Sequence, residues 1–218
     1  MVNQPPTFIE EKRLRKQGYR LIAGIDEAGR GPLAGPIVAA ALILPAGKRP
    51  SWINGIRDSK LLTPEKREYF YECMTWDGVS FGVGIIDNLV IDDQGIAVAN
   101  RMAMRSAVEQ LPIRPDFLLI DYLSLPEVAL PQKGIVDGDY LCISIAAASI
   151  VAKVTRDRLM IKLDSQYPGY GMAHHKGYAT PEHLEALQFL GPCPIHRKTF
   201  SPMRTPEPIP HLRGTQSP

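Results

Sequence analysis

The sequence has few cysteines, no long apolar run and almost no net charge. Its three cysteines, Cys73, Cys142 and Cys193, are an odd set without the spacing of a disulfide framework, which favours a reduced, cytoplasmic setting. The longest apolar run, residues 37–44, is too short to cross a bilayer. Residues 1–10 are polar and lack the apolar core of a signal peptide. We therefore expect no membrane role.

Positive side chains are clustered along the chain, although the formal net charge is only +2 and does not by itself indicate a nucleic-acid-binding protein. If folding brought the clusters together, they would form a face that attracts phosphates. Taken singly, each cluster is more often solvated surface charge. The clusters are Arg57 with Lys60; Lys153, Arg156 and Arg158; His174, His175 and Lys176; and His196, Arg197 and Lys198.

The pattern of apolar residues predicts an α/β fold. The 218 residues fit one domain with appendages better than two full domains. Three strands followed by alternating helices and strands indicate a mixed sheet with helices on its faces. We expect one domain over residues 1–200 and a Pro-rich, flexible tail over residues 201–218. The predicted strands are residues 19–25, 37–44, 79–86, 117–120 and 134–136, and the predicted helices are residues 10–17, 92–110, 144–163 and those beginning at Thr63-Pro64 and Thr180-Pro181.

Acidic residues follow three of the predicted strands: Asp26 with Glu27, then Asp121, then Asp139. A buried carboxylate is costly unless it is paired or binds a metal, and converging carboxylates repel one another. Oxygen ligands suit Mg²⁺ or Mn²⁺, and two such ions can stabilise the attacking and leaving oxygens of a phosphoryl displacement. A single aspartate at a strand end is more often a cap or a turn residue, so only the joint pattern indicates a metal site.

Five segments, in order along the chain, resemble the motifs of the bacterial ribonuclease HII family. The first and fourth segments are long and specific, and the resemblance covers residues 21–200. The segments are DEAGRGPLAGP from Asp26; DSKL from Asp58; LID at residues 119–121 with Leu125-Pro126; Asp139 with IAAASIVAKVTRD from Ile145; and residues 167–178 with His196-Arg197.

The resemblance implies a ribonuclease H-like fold with a small helical C-terminal extension. It implies hydrolysis of the RNA strand of RNA–DNA hybrids and cutting at single ribonucleotides in duplex DNA, which leaves 5′-phosphate and 3′-hydroxyl ends. The expected partners are these two nucleic acids, and we expect a monomer. The implied metal ligands, for two Mn²⁺ or Mg²⁺ ions, are Asp26, Glu27, Asp121 and Asp139.

The resemblance also implies substrate-binding residues. Gly29, Arg30 and Gly31 would contact the ribonucleotide and read its 2′-hydroxyl, the group that distinguishes RNA from DNA. Tyr178 would pack on the neighbouring sugar, and Lys60 would lie near phosphates. Taken alone, Tyr178 is more often a half-buried packing residue and Lys60 a solvated lysine.

Two positions depart from the family pattern. Tyr122 follows the aspartate of the third motif, where the family has a small residue. Asp137 precedes Gly138-Asp139, where the family has lysine, and it competes with Asp139 as the fourth ligand. The spacing to Ile145 favours Asp139.

Several alternatives stay open. A resolvase or integrase of the same fold would share the carboxylates, and a non-catalytic hybrid-binding protein would gain nothing from acids that face a polyanion. Gly24 and Gly35 lack the Gly-Lys-Ser/Thr ending of a phosphate-binding loop. A zinc site has no standard spacing here, and part of the fourth motif could be only an ion-pair network on a helix surface. The residues concerned are His174, His175, Cys193 and His196 for zinc, and Lys153, Arg156 and Asp157 for the network.

Overall fold

A five-stranded mixed sheet forms the centre of the molecule. The structure, a computed structural model, describes residues 5–45, 47 and 50–203. The strands are β1 (Ile22–Ala28), β2 (Ile37–Ile43), β3 (Ser80–Ile86), β4 (Phe117–Asp121) and β5 (Gln132–Ile135). Their order in the sheet is β3-β2-β1-β4-β5. β2 pairs antiparallel with β1 and β3, whereas β4 pairs parallel with β1 and β5. The predicted mixed sheet is confirmed.

Helices cover both faces of the sheet. In the described part of the chain they are α1 (Ile9–Lys16), α2 (Pro64–Trp76), α3 (Asn88–Gln94), α4 (Ile96–Glu109), α5 (Gly138–Leu141), α6 (Ile143–Gln166), α7 (Met172–His175) and α8 (Pro181–Leu190). α2 and α8 begin as predicted, because Thr63 and Thr180 cap them with their hydroxyl oxygens and proline occupies the first turn.

The alternation of side chains along β2 separates the two halves of the core. Ala40 and Leu42 pack beneath α6, whereas Ala39 and Ala41 pack beneath α4. The helices lie very close to the sheet: a Cβ atom on Gly24 would lie 2.2 Å from the backbone carbonyl carbon of Ser144. Gly24 therefore allows α6 to pack against β1, and the alternative of a nucleotide-binding loop at this glycine was wrong.

Three differences from the prediction bear on the site. β1 was predicted to end at residue 25, but its pairing with β2 continues to Ala28, so Asp26 and Glu27 lie inside the strand. The single helix predicted over residues 92–110 is two helices, because Gly95 adopts a φ of +82° between α3 and α4. Asp139 lies in the first turn of α5 and not at the end of a strand.

The C-terminal helices α7 and α8 pack against α6. Their shared apolar cluster contains Leu33, Met160, Met172 and Leu187, which agrees with a small helical extension joined to the sheet domain. Of the predicted tail, residues 204–218 lie outside the described residues, and residues 201–203 form a turn. None of the helices in the described ranges has the length and apolar character needed to cross a membrane.

Candidate active site

The parallel pairing of β1 with β4 brings two of the predicted ligands together. Ile25 and Ile120 are aligned in the register, so the residues that follow them, Asp26 and Asp121, lie next to each other on neighbouring strands. Asp26 is almost completely buried, and Asp121 is the last residue of β4. Main-chain hydrogen bonding in the sheet therefore determines the distance between these two carboxylates.

The electrostatic cost of this arrangement falls mainly on Asp26. Burial raises the pKa of Asp26 well above its ordinary value, and the negative charges of Glu27, Asp121 and Asp139 raise it further. Burial also raises the pKa of Glu27, although the positive charge of Arg30 opposes the shift. The four carboxylates thus form one electrostatically coupled group.

Asp121 and Asp139 are linked through the backbone of Gly138. The Gly138 amide donates a hydrogen bond of 2.8 Å to Asp121 Oδ1. A Cβ atom on Gly138 would lie 2.7 Å from Ile145 Cδ1 and 3.1 Å from Asp121 Oδ1, so a larger residue here would displace these side chains. Burial is the largest cause of the raised pKa values of Asp121 and Asp139.

The two candidate fourth ligands differ sharply in environment. Asp139 is only 3% exposed, whereas Asp137 is exposed and adopts the left-handed backbone conformation, with a φ of +54°. Tyr122 also has a left-handed φ, of +62°, and its side chain is exposed. This backbone conformation favours a residue without a Cβ atom, a physical reason for a small residue at position 122.

Lys60 provides a positive charge to the carboxylate group. Its Nζ lies 3.0 Å from Asp139 Oδ2 and 3.8 Å from Asp58 Oδ1. Burial lowers the pKa of Lys60, but the hydrogen bond to Asp139 and the charges of Asp139 and Asp58 outweigh it, so the pKa is raised. Asp58 is buried, and its Oδ2 has no hydrogen-bond partner in the described structure.

A cleft of about 300 Å³ contains most of the predicted site. Tyr178 stands at one wall, close to Gly31: a Cβ atom on Gly31 would lie 3.9 Å from Tyr178 Cε1. Asp139 is not among the residues that line the cleft, but it accepts a hydrogen bond from Lys60, which is. The lining residues are Asp26, Glu27, Ala28, Gly29, Arg30, Gly31, Ser59, Lys60, Asp121, Lys153 and Tyr178.

The donor set matches a hard divalent cation in chemistry. The four carboxylates offer only oxygen ligands, and their mutual repulsion would be relieved by positive charge. Within residues 5–45, 47 and 50–203, however, no three His, Cys, Asp or Glu side chains form a preassembled metal site. The residues fit a metal by charge and ligand type, and their side chains would have to close around it.

Two buried arginines hold the glycine-rich segment after β1, residues 29–36. Arg197 donates to the carbonyl oxygens of Gly29, Arg30 and Gly35. Arg156 donates to three further carbonyl oxygens, those of Ala34, Pro36 and Lys176. Both arginines are 0% exposed, so their assignment to surface clusters was wrong. The sequence offered no local signal for this, because the carbonyl acceptors are distant in the chain.

The ion-pair interpretation of the fourth motif was right for two of its three residues. Lys153 Nζ lies 2.5 Å from Asp157 Oδ1, and Arg67 lies 3.7 Å from the same carboxylate. Arg156, by contrast, takes no part in an ion pair in the described structure. Lys153 lines the cleft, and burial is the largest cause of its lowered pKa.

Asn100 of α4 was missed by sequence reasoning. It is buried, and its side-chain amide lies near Glu27 and lowers the pKa of that carboxyl. A polar residue on the otherwise apolar face of α4, next to Ala99 and near Ala103, was the available signal.

Three buried histidines form a hydrogen-bonded stack and not a zinc site. His183 Nδ1 donates to the carbonyl of Tyr178, which leaves His183 Nε2 to accept from His196 Nε2 at 3.0 Å. His196 Nδ1 then accepts from the backbone amide of Cys193. His175 accepts from the Gly177 amide and stacks on His183. Because ring nitrogens face each other or the backbone, the zinc alternative was wrong.

Comparisons with known proteins agree with this geometry. The family model described as Ribonuclease HII matches residues 23–203. A Ribonuclease HII of Dehalococcoides mccartyi is 59% identical over 200 residues, which is 92% of this chain and 95% of that protein. One of Citrifermentans bemidjiense is 54% identical over 193 residues, 88% of this chain and 82% of that protein.

The fold comparison gives the same result. The crystal structure of ribonuclease H2 from Pyrococcus horikoshii OT3 is 28% identical, with a TM-score of 0.70, and the match covers 85% of this chain and 96% of that one. The predicted family, fold and enzyme class are confirmed. The chain therefore belongs to the ribonuclease HII family and is an endonuclease of the ribonuclease H type.

Proposed function

We propose that this protein hydrolyses the RNA strand of RNA–DNA hybrids and also cuts at single ribonucleotides in duplex DNA. The products would carry 5′-phosphate and 3′-hydroxyl ends. The observation that carries the proposal is the group of four carboxylates beside a glycine-rich segment in one cleft, since the first can perform the chemistry and the second can select the sugar.

Asp26, Glu27, Asp121 and Asp139 would hold two Mn²⁺ or Mg²⁺ ions. When bound, such ions activate water and stabilise the leaving oxygen of a phosphodiester. We favour Asp139 over Asp137 because Asp139 is buried and in contact with Lys60, whereas Asp137 is exposed.

The other residues of the cleft would bind and select the substrate. Gly29, Arg30 and Gly31 bring bare backbone to the wall of the cleft, where a sugar can approach closely. Tyr178 is 44% exposed beside Gly31, so its ring is available to pack on an adjoining sugar. The side chain of Lys60 is 72% exposed although its ammonium group is paired, and it can reach a phosphate.

The deciding experiment compares three substrates under matched conditions: a DNA duplex with one ribonucleotide, the same duplex in all-DNA form, and a long RNA–DNA hybrid. With Mg²⁺ or Mn²⁺ we expect cleavage of the first and third, and none in the presence of EDTA. Cleavage of the all-DNA duplex would favour a resolvase-like activity. Binding without cleavage in every metal condition would favour a hybrid-binding protein.

We further propose that the protein acts as a monomer in the cytoplasm. All three cysteines are free, which suits a reducing compartment. Sedimentation equilibrium at micromolar concentration tests the oligomeric state, and a stable dimer mass would contradict the proposal.

A further inference from the structure

The helical turn that carries Asp139 is too short to maintain its own conformation. α5 contains only the four residues Gly138–Leu141. An isolated helical turn fixes more backbone angles than its hydrogen bonds compensate. The place of Asp139 must therefore depend on the contacts that other elements make with the two ends of α5. At the N-terminal end, the Gly138 amide donates to Asp121 Oδ1, a member of the carboxylate group.

The C-terminal end of α5 is held by the residues that lead into α1. The Thr7 amide donates a hydrogen bond of 3.0 Å to the carbonyl oxygen of Leu141, and the Thr7 carbonyl accepts one of 3.1 Å from the Ile143 amide. These two bonds lie on either side of Cys142, the single residue between α5 and α6. The Cys142 amide donates in turn to the carbonyl oxygen of Gly138 at 2.8 Å. Main-chain hydrogen bonds thus fix the end of α5 against Thr7.

Glu11, in the first turn of α1, makes a second connection at the same junction. Its Oε1 accepts hydrogen bonds from the Ser144 amide at 3.0 Å and from Cys142 Sγ at 3.1 Å. Burial and the charge of Glu11 raise the pKa of the Cys142 thiol, so the thiol stays protonated and can donate. Cys142 occupies the N-cap position of α6 but makes no capping bond with its own side chain. Glu11 therefore caps α6 from a different helix.

The burial of Glu11 is costly for a helix cap. The residue is 2% exposed, and its Oε2 has no hydrogen-bond partner in the described structure. The partial positive charge at the start of α6 offsets part of this cost. A serine or asparagine at position 142 could cap α6 locally without burying a charge. The distant cap differs from a local one because it also ties the junction between α5 and α6 to α1.

We propose that Thr7 and Glu11 are positioning residues that hold the junction between α5 and α6 and thereby determine the place of Asp139 in the carboxylate group. The inference rests on the proposed function, because it takes Asp139 as a metal ligand. It assigns a part in metal binding to α1, none of whose residues lines the cleft.

Glu10 is the matched control for Glu11. It precedes Glu11 in α1, and its Oε2 lies 2.9 Å from Lys133 Nζ, so it ties the same helix to β5. Within the described part of the chain, its side chain makes no hydrogen bond with residues 141–144. Glu10→Leu therefore removes a contact of α1 and leaves the junction intact. Glu11→Leu removes the cap, whereas Glu11→Gln keeps an oxygen that can accept from the Ser144 amide.

The primary test measures the binding of Mn²⁺ to the full chain without nucleic acid, by isothermal titration calorimetry. Thermal melts first establish that each variant is folded at the titration temperature. We expect Glu11→Leu to weaken Mn²⁺ binding about 10-fold, and Glu10→Leu to weaken it less than about 2-fold. Glu11→Gln should restore most of the affinity. An unchanged Mn²⁺ affinity in folded Glu11→Leu overturns the role of Glu11.

A double-mutant cycle separates positioning from a general loss of stability. Glu11→Leu is combined with Asp139→Asn, and the Mn²⁺ affinities of the four proteins are compared. If Glu11 acts through Asp139, its replacement should have little further effect once the Asp139 carboxylate is absent. Equal fractional losses of affinity in both backgrounds would show that Glu11 only stabilises the fold, and they overturn the proposal.

Thr7→Pro takes the place of Glu11→Leu if the latter does not fold. Proline removes the amide that donates to Leu141 and keeps the carbonyl that accepts from Ile143. Thr7 is exposed, so little packing is disturbed. The variant should weaken Mn²⁺ binding about 3-fold, in keeping with the net contribution of one hydrogen bond. The loss should disappear in the Asp139→Asn background. An unchanged affinity overturns the proposal.

Mn²⁺ binding is measured without substrate, so the two proposals can fail separately. Weakened binding in Glu11→Leu, in a protein that cleaves neither ribonucleotide-containing substrate, would reject the proposed function and leave the positioning role intact. Cleavage by a protein whose Glu11→Leu variant binds Mn²⁺ normally would reject the positioning role alone. If Asp139→Asn binds Mn²⁺ as tightly as the unsubstituted protein, Asp139 is not a ligand and the positioning role is overturned.

Discussion

At the scale of single residues, Asp26 illustrates how a proposed metal ligand is held at a cost to stability. Its carboxylate lies inside a paired strand, so it cannot move away from Glu27 and Asp121. Because the backbone does not allow the carboxylates to move apart, their repulsion lowers the free energy of unfolding. A bound cation would relieve this repulsion, which favours cation binding.

Asp26→Asn should abolish cleavage while the protein keeps or gains thermal stability without metal. The pKa of Asp26 is raised on folding, so its favourable contribution is present at low pH and is lost as pH rises through the folded pKa. The neutral amide avoids that loss. Thermal melts of Asp26→Asn and of the unsubstituted protein are compared at pH 7.5 and at pH 4. Any gain in melting temperature of the variant should be present at pH 7.5 and disappear at pH 4. Near wild-type turnover would remove Asp26 from the site.

Asp139→Asn should reduce cleavage far more than Asp137→Asn, by roughly 100-fold or more against less than about 3-fold, since a loss of two powers of ten corresponds to about 2.7 kcal/mol of transition-state stabilisation. Asp139 is buried against Lys60, and Asp137 is exposed. Single-turnover rates of both variants on one substrate provide the comparison. Rates in the reverse order would show that the fourth ligand is Asp137.

At the scale of secondary-structure elements, close packing of helices on the sheet determines where the site residues lie. The short side chains of β2 and of the first half of α6 bring that helix onto β1, and α5, which carries Asp139, directly precedes α6. Strand glycines permit the same closeness at α4, which carries Asn100.

Gly84→Ala should destabilise the protein by about 3 kcal/mol or more, because overpacking a close backbone contact forces the elements apart. A Cβ atom at Gly84 would lie 2.0 Å from the carbonyl oxygen of Ala103 in α4. Gly47→Ala is the matched control, since no atom of the described residues lies within 4 Å of its Cβ position. Urea denaturation measures both variants, and equal midpoints would contradict the close packing of α4.

The histidine stack at α8 should make the C-terminal extension sensitive to acid. Burial and the neighbouring His183 lower the pKa of His196 from its ordinary value of 6.5 to about 4. Between about pH 6.5 and pH 4, His196 is therefore protonated in the unfolded chain but neutral in the folded chain. The free energy of unfolding falls as pH drops through this window, by on the order of 3 kcal/mol for this group.

The pH dependence is measured as the difference in unfolding free energy between the unsubstituted protein and His196→Gln. Glutamine does not titrate, so the stability advantage of the histidine should shrink as pH falls through this window. A difference that is constant from pH 7 to pH 4.5 would show that folding does not lower the pKa of His196.

At the scale of the whole molecule, the C-terminal extension packs on the sheet domain and contributes Tyr178 to one wall of the cleft. Arg156 joins the two parts, since it binds the carbonyl oxygens of Ala34 and Lys176. Tyr178 follows that contact and faces Gly31. A substrate in the cleft would contact both parts of the protein at once. Under the proposed function, the two parts could then contact a ribonucleotide and the nucleotide next to it.

Tyr178→Ala should reduce cleavage at a single ribonucleotide more than cleavage of a long hybrid. A long hybrid offers many productive registers, whereas a lone ribonucleotide must be located by its adjoining sugars. The loss of a ring contact of this type costs on the order of 1–3 kcal/mol. The ratio of kcat/KM on the two substrates is the measurement. Equal fractional losses with a lowered melting temperature would indicate packing only.

The amino-acid sequence by itself determined the five strands, the five longest helices, the family and the candidate residues. Apolar periodicity and the capping threonines are local properties, so the sheet strands and the starts of α2 and α8 could be predicted from them. The order and spacing of the motifs were sufficient to predict the family to which the chain belongs. The boundary of β1 was wrong because its length depends on pairing with β2, a partner that periodicity within one segment does not report.

Only the tertiary structure decided which charged residues face the cleft and which support it from beneath. Arg197 and Lys198 are neighbours in the chain, yet Arg197 is fully buried and Lys198 is exposed. Their side-chain chemistry is similar, and the difference arises from carbonyl acceptors supplied more than 160 residues away. Burial of a charge depends on the acceptors that surround it after folding, and these come from elements distant in the sequence.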